Sequence, residues 1–104
     1  MSDKELFGDS SISTDVSRKK AVPRRFKVLL HNDDYTTMEF VIQILEDVFN
    51  KSETEANNIM LSVHLKGVGV CGIYPFEIAE TKVEKVHLMA EKESFPLKCS
   101  MEEI

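Results

Sequence analysis

"LLHNDDYTTMEF", residues 29–40, decides how the chain folds. Leu29 and Leu30 close a short apolar run that opens at Phe26, "FKVLLH", and Asn32, Asp33 and Asp34 stop it. A run of Val and Leu ending in Asn and Asp reads as a strand entering a turn. A helix start follows. Thr36 stands three residues before Glu39, the spacing of a capping box, and Tyr35 and Phe40 have the spacing of a hydrophobic staple. Met38, Val41, Ile42, Leu45, Val48 and Phe49 then recur at helical intervals and define one apolar face. Two readings of the turn stand side by side. Its Asn and Asp side chains bend the chain through Asx-turns and caps, or its carboxylates await a small positive group.

Beyond this helix, Asn50 and Lys51 interrupt the periodicity, and Ser52 with Glu55 forms a second capping box. Ala56, Ile59, Met60 and Val63 give the second helix its apolar face, and Gly67 is placed to end it. "VGVCGIY", from Val68, reads as a strand in which Gly69 and Gly72 weaken pairing or admit a close backbone neighbour. Pro75 suits the first position of a third helix, Glu77 its first turn, and Ile78, Ala79, Val83, Val86 and Ala90 its apolar side. "FPLKCSM", residues 95–101, is a last short strand, with Pro96 at its start. The expected order is strand, helix, helix, strand, helix, strand. That is an α+β fold in which three helices cover one side of a three-stranded antiparallel sheet.

The 104 residues suit one domain, and 42% apolar with 30% charged residues is an ordinary globular composition. Residues 1–25 are polar and serine-rich without apolar periodicity, so a flexible N-terminal tail is expected, followed by a core domain over 26–104. The tail is acidic early and then basic, with Arg18, Lys19, Lys20, Arg24 and Arg25. A net charge of −5 argues against nucleic acid as a partner. No apolar run reaches the length of a membrane span and no signal peptide opens the chain, so a cytoplasmic protein without a membrane partner is expected. Cys71 and Cys99 read as buried thiols, a bridge between them requiring their strands to be neighbours.

Candidate chemistry gathers at the opening stretch. If the second helix packs over the end of the first strand, Asn32 and Asp34 meet His64. Leu30, Thr36, Met38, Val41, Met60 and Val63 then lie around them, with Leu97 from the last strand. Set against this are structural uses of each group: an Asx-turn, a satisfied histidine, a core methionine. A metal site from His31, Asp33, Asp34 and His64 lacks an established ligand spacing. No serine or cysteine nucleophile stands beside a base, and no glycine-rich phosphate loop is present.

"VLLHNDDYTTMEFVIQILEDVF", "MLSVHLKGVGVCGIY", "EIAETKV" and "FPLKCSMEE" together resemble the ClpS family, adaptors of the bacterial Clp protease, from about residue 26 to the C-terminus. The resemblance implies a fold like the C-terminal domain of the ribosomal stalk protein. It also implies a non-enzymatic, cofactor-free and monomeric adaptor of the N-end rule. Such an adaptor binds proteins beginning with Leu, Phe, Tyr or Trp and delivers them to the ClpA-like AAA+ unfoldase of the protease. By that likeness Asn32, Asp34 and His64 accept hydrogen bonds from the substrate's α-amino group, with Asp33 nearby. Leu30, Thr36, Met38, Val41, Met60, Val63 and Leu97 line the side-chain pocket, Met38 excluding β-branched residues. Glu77 and Lys82 match the unfoldase-docking surface, and the tail matches the delivery segment. Thr37 stands where many members carry proline. The alternative from the residues alone is an interaction domain of the same fold whose pocket is filled by its own side chains.

Overall fold

The computed structural model describes residues 23–104; residues 1–22, most of the expected tail, lie outside that description. Six elements follow in the expected order: β1 (Arg25–His31), α1 (Met38–Asp47), α2 (Glu53–Lys66), β2 (Val68–Pro75), α3 (Phe76–Lys92) and β3 (Lys98–Glu103). The sheet is antiparallel with order β2-β1-β3, so the first strand lies in the middle. Its sequence explains this. Phe26, Val28 and Leu30 are buried among the helices, and Leu29, in register with Val70 and Ser100, is buried on the opposite face. A strand apolar on both faces belongs between two others. Val68, Val70 and Ile73 of β2 stay exposed. The core joins β1 to Ile44 and Leu45 of α1, Ala56, Met60 and Val63 of α2, and Ala79, Val86 and Ala90 of α3.

The local signals are realised with adjustments. Ser52 and Glu55 make both bonds of a capping box, and Gly67 ends α2 in the left-handed region at φ 88°. At α1 the cap is Thr37, whose side chain accepts from the Phe40 N–H; the expected Thr36–Glu39 box does not form, because the Thr36 hydroxyl donates to Asp33 instead. A hydroxyl at position 37 thus supplies a cap that proline could not. Tyr35 is 77% exposed, so it makes no staple; Phe40 packs on Phe95, with ring centroids 5.0 Å apart. Val48 and Phe49 are buried just past the end of α1 rather than on it. Pro75 is the N-cap of α3, one residue before its first turn, and Ile78 lies on the exposed side of that helix. The last strand begins two residues after Pro96.

Cys71 and Cys99 are both buried and free. Their strands flank β1 on opposite sides. Two strand spacings separate them by about 9–10 Å, beyond the roughly 7 Å between Cα atoms that a disulfide spans. Desolvation pushes the Cys99 thiol up to about 12 and moves Cys71 further in the same direction, so both stay protonated.

One contact ties α3 to α1. No basic residue stands in the last turn of α1, whose final carbonyls need donors. Lys82 supplies one from α3: its Nζ donates to the Val48 carbonyl at 2.7 Å and sits over the rings of Phe49 and Tyr74.

Gly69 fixes how closely α2 approaches β2. A Cβ there would meet Val63 Cγ2 at 2.8 Å and the Ile59 carbonyl at 3.1 Å. Gly69→Ala should therefore push α2 outward and lower stability by roughly 1–3 kcal/mol in urea unfolding.

Candidate functional site

The turn after β1 is held to the end of α2 by backbone. The Asn32 N–H donates to the Gly67 carbonyl at 2.9 Å, and the Gly67 N–H closes α2 on the Val63 carbonyl at 3.0 Å. The last turn of α2, which carries His64, is thereby set beside the turn that carries Asn32, Asp33 and Asp34. His31 is engaged elsewhere, its Nε2 lying 2.7 Å from the Ser100 hydroxyl.

Within the turn, Asp33 is the organiser. Its Oδ1 accepts from the N–H groups of Tyr35 (2.8 Å) and Thr36 (2.7 Å), and its Oδ2 accepts from the Thr36 hydroxyl (2.7 Å). This is the Asx-turn use of an aspartate. Partial burial pushes the carboxyl upward, but the bonds from Thr36 and Tyr35 outweigh it and hold Asp33 below the usual carboxylate range. Each carboxylate oxygen offers about two acceptor positions, so Oδ2, with one donor, keeps room for another.

Asn32, Asp33, Asp34, Thr36, Met38, Val41, Met60, Val63 and His64 line one hollow of about 250 Å³. Polar and apolar groups divide within it. Asn32, Asp34 and His64 are exposed, whereas Val41, Met60 and Val63 belong to the buried core. Met38, the first residue of α1, is 43% exposed and forms an edge of the opening. Two expected lining residues are not among these walls. Leu30 is fully buried, and Leu97 lines a different hollow between α3 and β3. Among the described residues the salt bridges are Arg24–Glu103 and Lys27–Glu102, so Asp33 and Asp34 pair with no lysine or arginine there. Nor do the described residues group three His, Cys, Asp or Glu side chains as metal ligands.

The other expected functional pair is split by its surroundings. Glu77 is exposed in the first turn of α3, while Lys82 is half-buried on the end of α1. Thr37 and the Gly67 carbonyl matter to the site without having been singled out for it; a glycine directly after an apolar helix face was the signal for the second.

The hollow can hold an apolar group on Val41, Met60 and Val63 while a cation meets acceptors at its mouth. Comparison with known proteins bears on this chemistry. The family model for the ATP-dependent Clp protease adaptor protein ClpS matches residues 21–100. The ATP-dependent Clp protease adapter protein ClpS of Desulfatibacillum aliphaticivorans is 63% identical over 98 residues, 94% of this chain and 92% of that one. Its counterpart in Oleidesulfovibrio alaskensis is 55% identical over the full length of both chains. Among solved structures, Agrobacterium tumefaciens ClpS2 bound to L-phenylalaninamide is similar with a TM-score of 0.77 and 36% identity, covering 80% of this chain and all of that one. No helix among the described residues is long and apolar enough to cross a membrane.

Removing the Asp33 carboxylate should loosen the turn. Asp33→Ala is expected to cost about 1–3 kcal/mol at neutral pH, the sum of modest net hydrogen bonds. Because folding lowers this group's affinity for a proton, its stabilisation is fully present above the unfolded value of about 3.9 and is lost as pH falls through the lower folded value. Urea titrations of wild type and variant at pH 7 and near pH 3 should show the gap between them narrowing in acid.

Proposed function

Because the chain belongs to the ClpS family and is an adaptor of the Clp protease rather than an enzyme, we propose that its first hollow reads the N-terminal residue of proteins destined for that protease. The substrate's α-ammonium meets Asn32, His64 and the carboxylates of Asp33 and Asp34, and its first side chain, Leu, Phe, Tyr or Trp, enters among Thr36, Met38, Val41, Met60 and Val63. The single observation that carries this reading is the joining of exposed acceptors and buried apolar walls in one hollow. A neighbour of the same fold is bound to L-phenylalaninamide, a free amine beside an aromatic side chain.

Magnitudes favour a requirement for both parts. An ammonium carries three donors, and each bond to it contributes roughly 1.5–3 kcal/mol net. Burying a Leu or Phe side chain adds roughly 1.5–3 kcal/mol. Association costs at least about 4 kcal/mol in lost freedom. The apolar part alone does not overcome that cost, whereas both together reach the micromolar range of about −8 kcal/mol at the upper end of these values. Asp33 is preorganised by its own bonds, so its free Oδ2 position asks for no reordering when the amine arrives. Leu30, buried in the same core as Val41, Met60 and Val63, serves as packing rather than as a contact. In this reading substrates pass to a ClpA-like AAA+ unfoldase. Glu77 is an accessible point of its docking surface on α3, with Lys82 holding that helix in place.

Two measurements test the site. A Phe-initiated peptide should bind in calorimetry with micromolar affinity, and its acetylated copy at least about tenfold more weakly, since acetylation removes the charge and leaves acceptors unpaired; equal affinities would refute the amine site. His64→Ala should lose at least about tenfold in affinity, one charged hydrogen bond, with the unfolding midpoint little changed.

The edge residue Met38 is expected to exclude branching at Cβ. Met38→Ala should admit Ile- and Val-initiated peptides that the parent rejects, while retaining Phe; fluorescence anisotropy across such a peptide set reads this directly.

A further inference from the structure

A second hollow, of about 660 Å³, lies between α3 and β3 and takes no part in the reading above. Its floor is apolar, with Val83, Phe95 and Met101, and Leu88 is 56% exposed at its edge. Glu80, Glu84 and Glu91 line it along one side of α3, and among the described residues none of the three is in a salt bridge. The outer edge of β3 is partly closed, because the Cys99 N–H donates to His87 Nε2 at 3.1 Å. An occupant therefore engages through side chains and charge rather than by adding a strand at that position.

The described chain enters beside this groove. Arg24 donates to both carboxylate oxygens of Glu103 at 2.8 and 2.9 Å, two residues along β3 from Met101. Before it, across Pro23, stands "VSRKKAV", residues 16–22, with three adjacent cations between apolar residues. The six residues from Arg24 back to Arg18 reach at most about 20 Å. Glu80 and Glu91 are about 16 Å apart along α3. Reach, attachment point and charge all match.

We propose that residues 16–22 dock in this groove of their own chain, Arg18, Lys19 and Lys20 against Glu80, Glu84 and Glu91, and Val16 and Val22 over the apolar floor. Exposed ion pairs of this kind are weak between separate molecules. A short tether raises the effective concentration to about the millimolar range, where weak pairs suffice. Docking is thus reversible and salt-sensitive, and a partner that takes hold of the N-terminal segment must first displace it from α3. The inference is independent of what the first hollow binds.

Zero-length carbodiimide crosslinking of the full chain tests it, since this reagent joins a lysine amine to a carboxylate only where they touch. In monomer-sized protein at low salt, Lys19 and Lys20 should link to Glu80, Glu84 and Glu91 more often than to Glu102 and Glu103, which any tether at Arg24 would brush. Those links should fall at least about fivefold near 0.5 M salt, where screening shortens to a few ångströms. The Met101 methyl signal of the full chain should also move when Arg18, Lys19 and Lys20 are replaced by Glu. Links found only in dimers would assign the groove to a second copy. Links spread evenly over Glu102 and Glu103, or an unmoved Met101 signal, would overturn the proposal.

Discussion

The hydrogen bond from the Asn32 amide to the Gly67 carbonyl sets the geometry on which the first hollow depends. It joins the exit of the central strand to the exit of α2, so that three acidic or amide side chains and an imidazole face one opening. The bond requires the chain to leave α2 through a left-handed residue, and at φ 88° glycine is the residue that does so without a Cβ penalty. Close packing completes the arrangement. Two residues later Gly69 lets Val63 and Ile59 lie against β2, which holds the apolar wall at the depth the hollow needs.

Within the turn the polar groups divide their work. Asp33 satisfies two backbone donors and a hydroxyl, and that use keeps it charged. Asn32 contributes its backbone to the tie with Gly67 and leaves its side chain to the hollow. Asp34 and His64 remain exposed at the mouth. The two readings of this turn, bending the chain and awaiting a cation, are therefore complementary. A carboxylate fixed by local bonds presents its unused acceptor position to a ligand at no further ordering cost.

What the sequence disclosed follows the range of the interactions involved. The turn and helix of residues 32–47, the Ser52 capping box and the Gly67 cap rest on neighbours within four residues, and all formed. β1 was legible from its apolar run, although its partners β2 and β3 lie far along the chain. The choice between Thr36 and Thr37 as cap was not legible. Both precede the helix, and the outcome turned on Asp33 taking the first hydroxyl. Leu97 and Lys82 depended on contacts far along the chain. Leu97 faces α3 rather than the first hollow, and Lys82 reaches the end of α1 across 34 residues. The meeting of the turn with His64 was legible only as a conditional, since periodicity alone does not say which strand end a helix covers.

α2 shows why such a site is held by ends more than by faces. The helix buries only Ala56, Met60 and Val63, and its other positions include Asn57, Asn58 and several exposed charged residues. So narrow an apolar stripe leaves a helix free to roll by a fraction of a turn, which would swing His64 away from the mouth. Rolling is opposed at both termini: the reciprocal bonds of Ser52 and Glu55 fix the start, and the Gly67 tie fixes the finish. The contact made by Gly69 blocks it midway. The shape of this hollow is thus held at three points along α2, while Asn32, Asp34 and His64 stay exposed at its mouth.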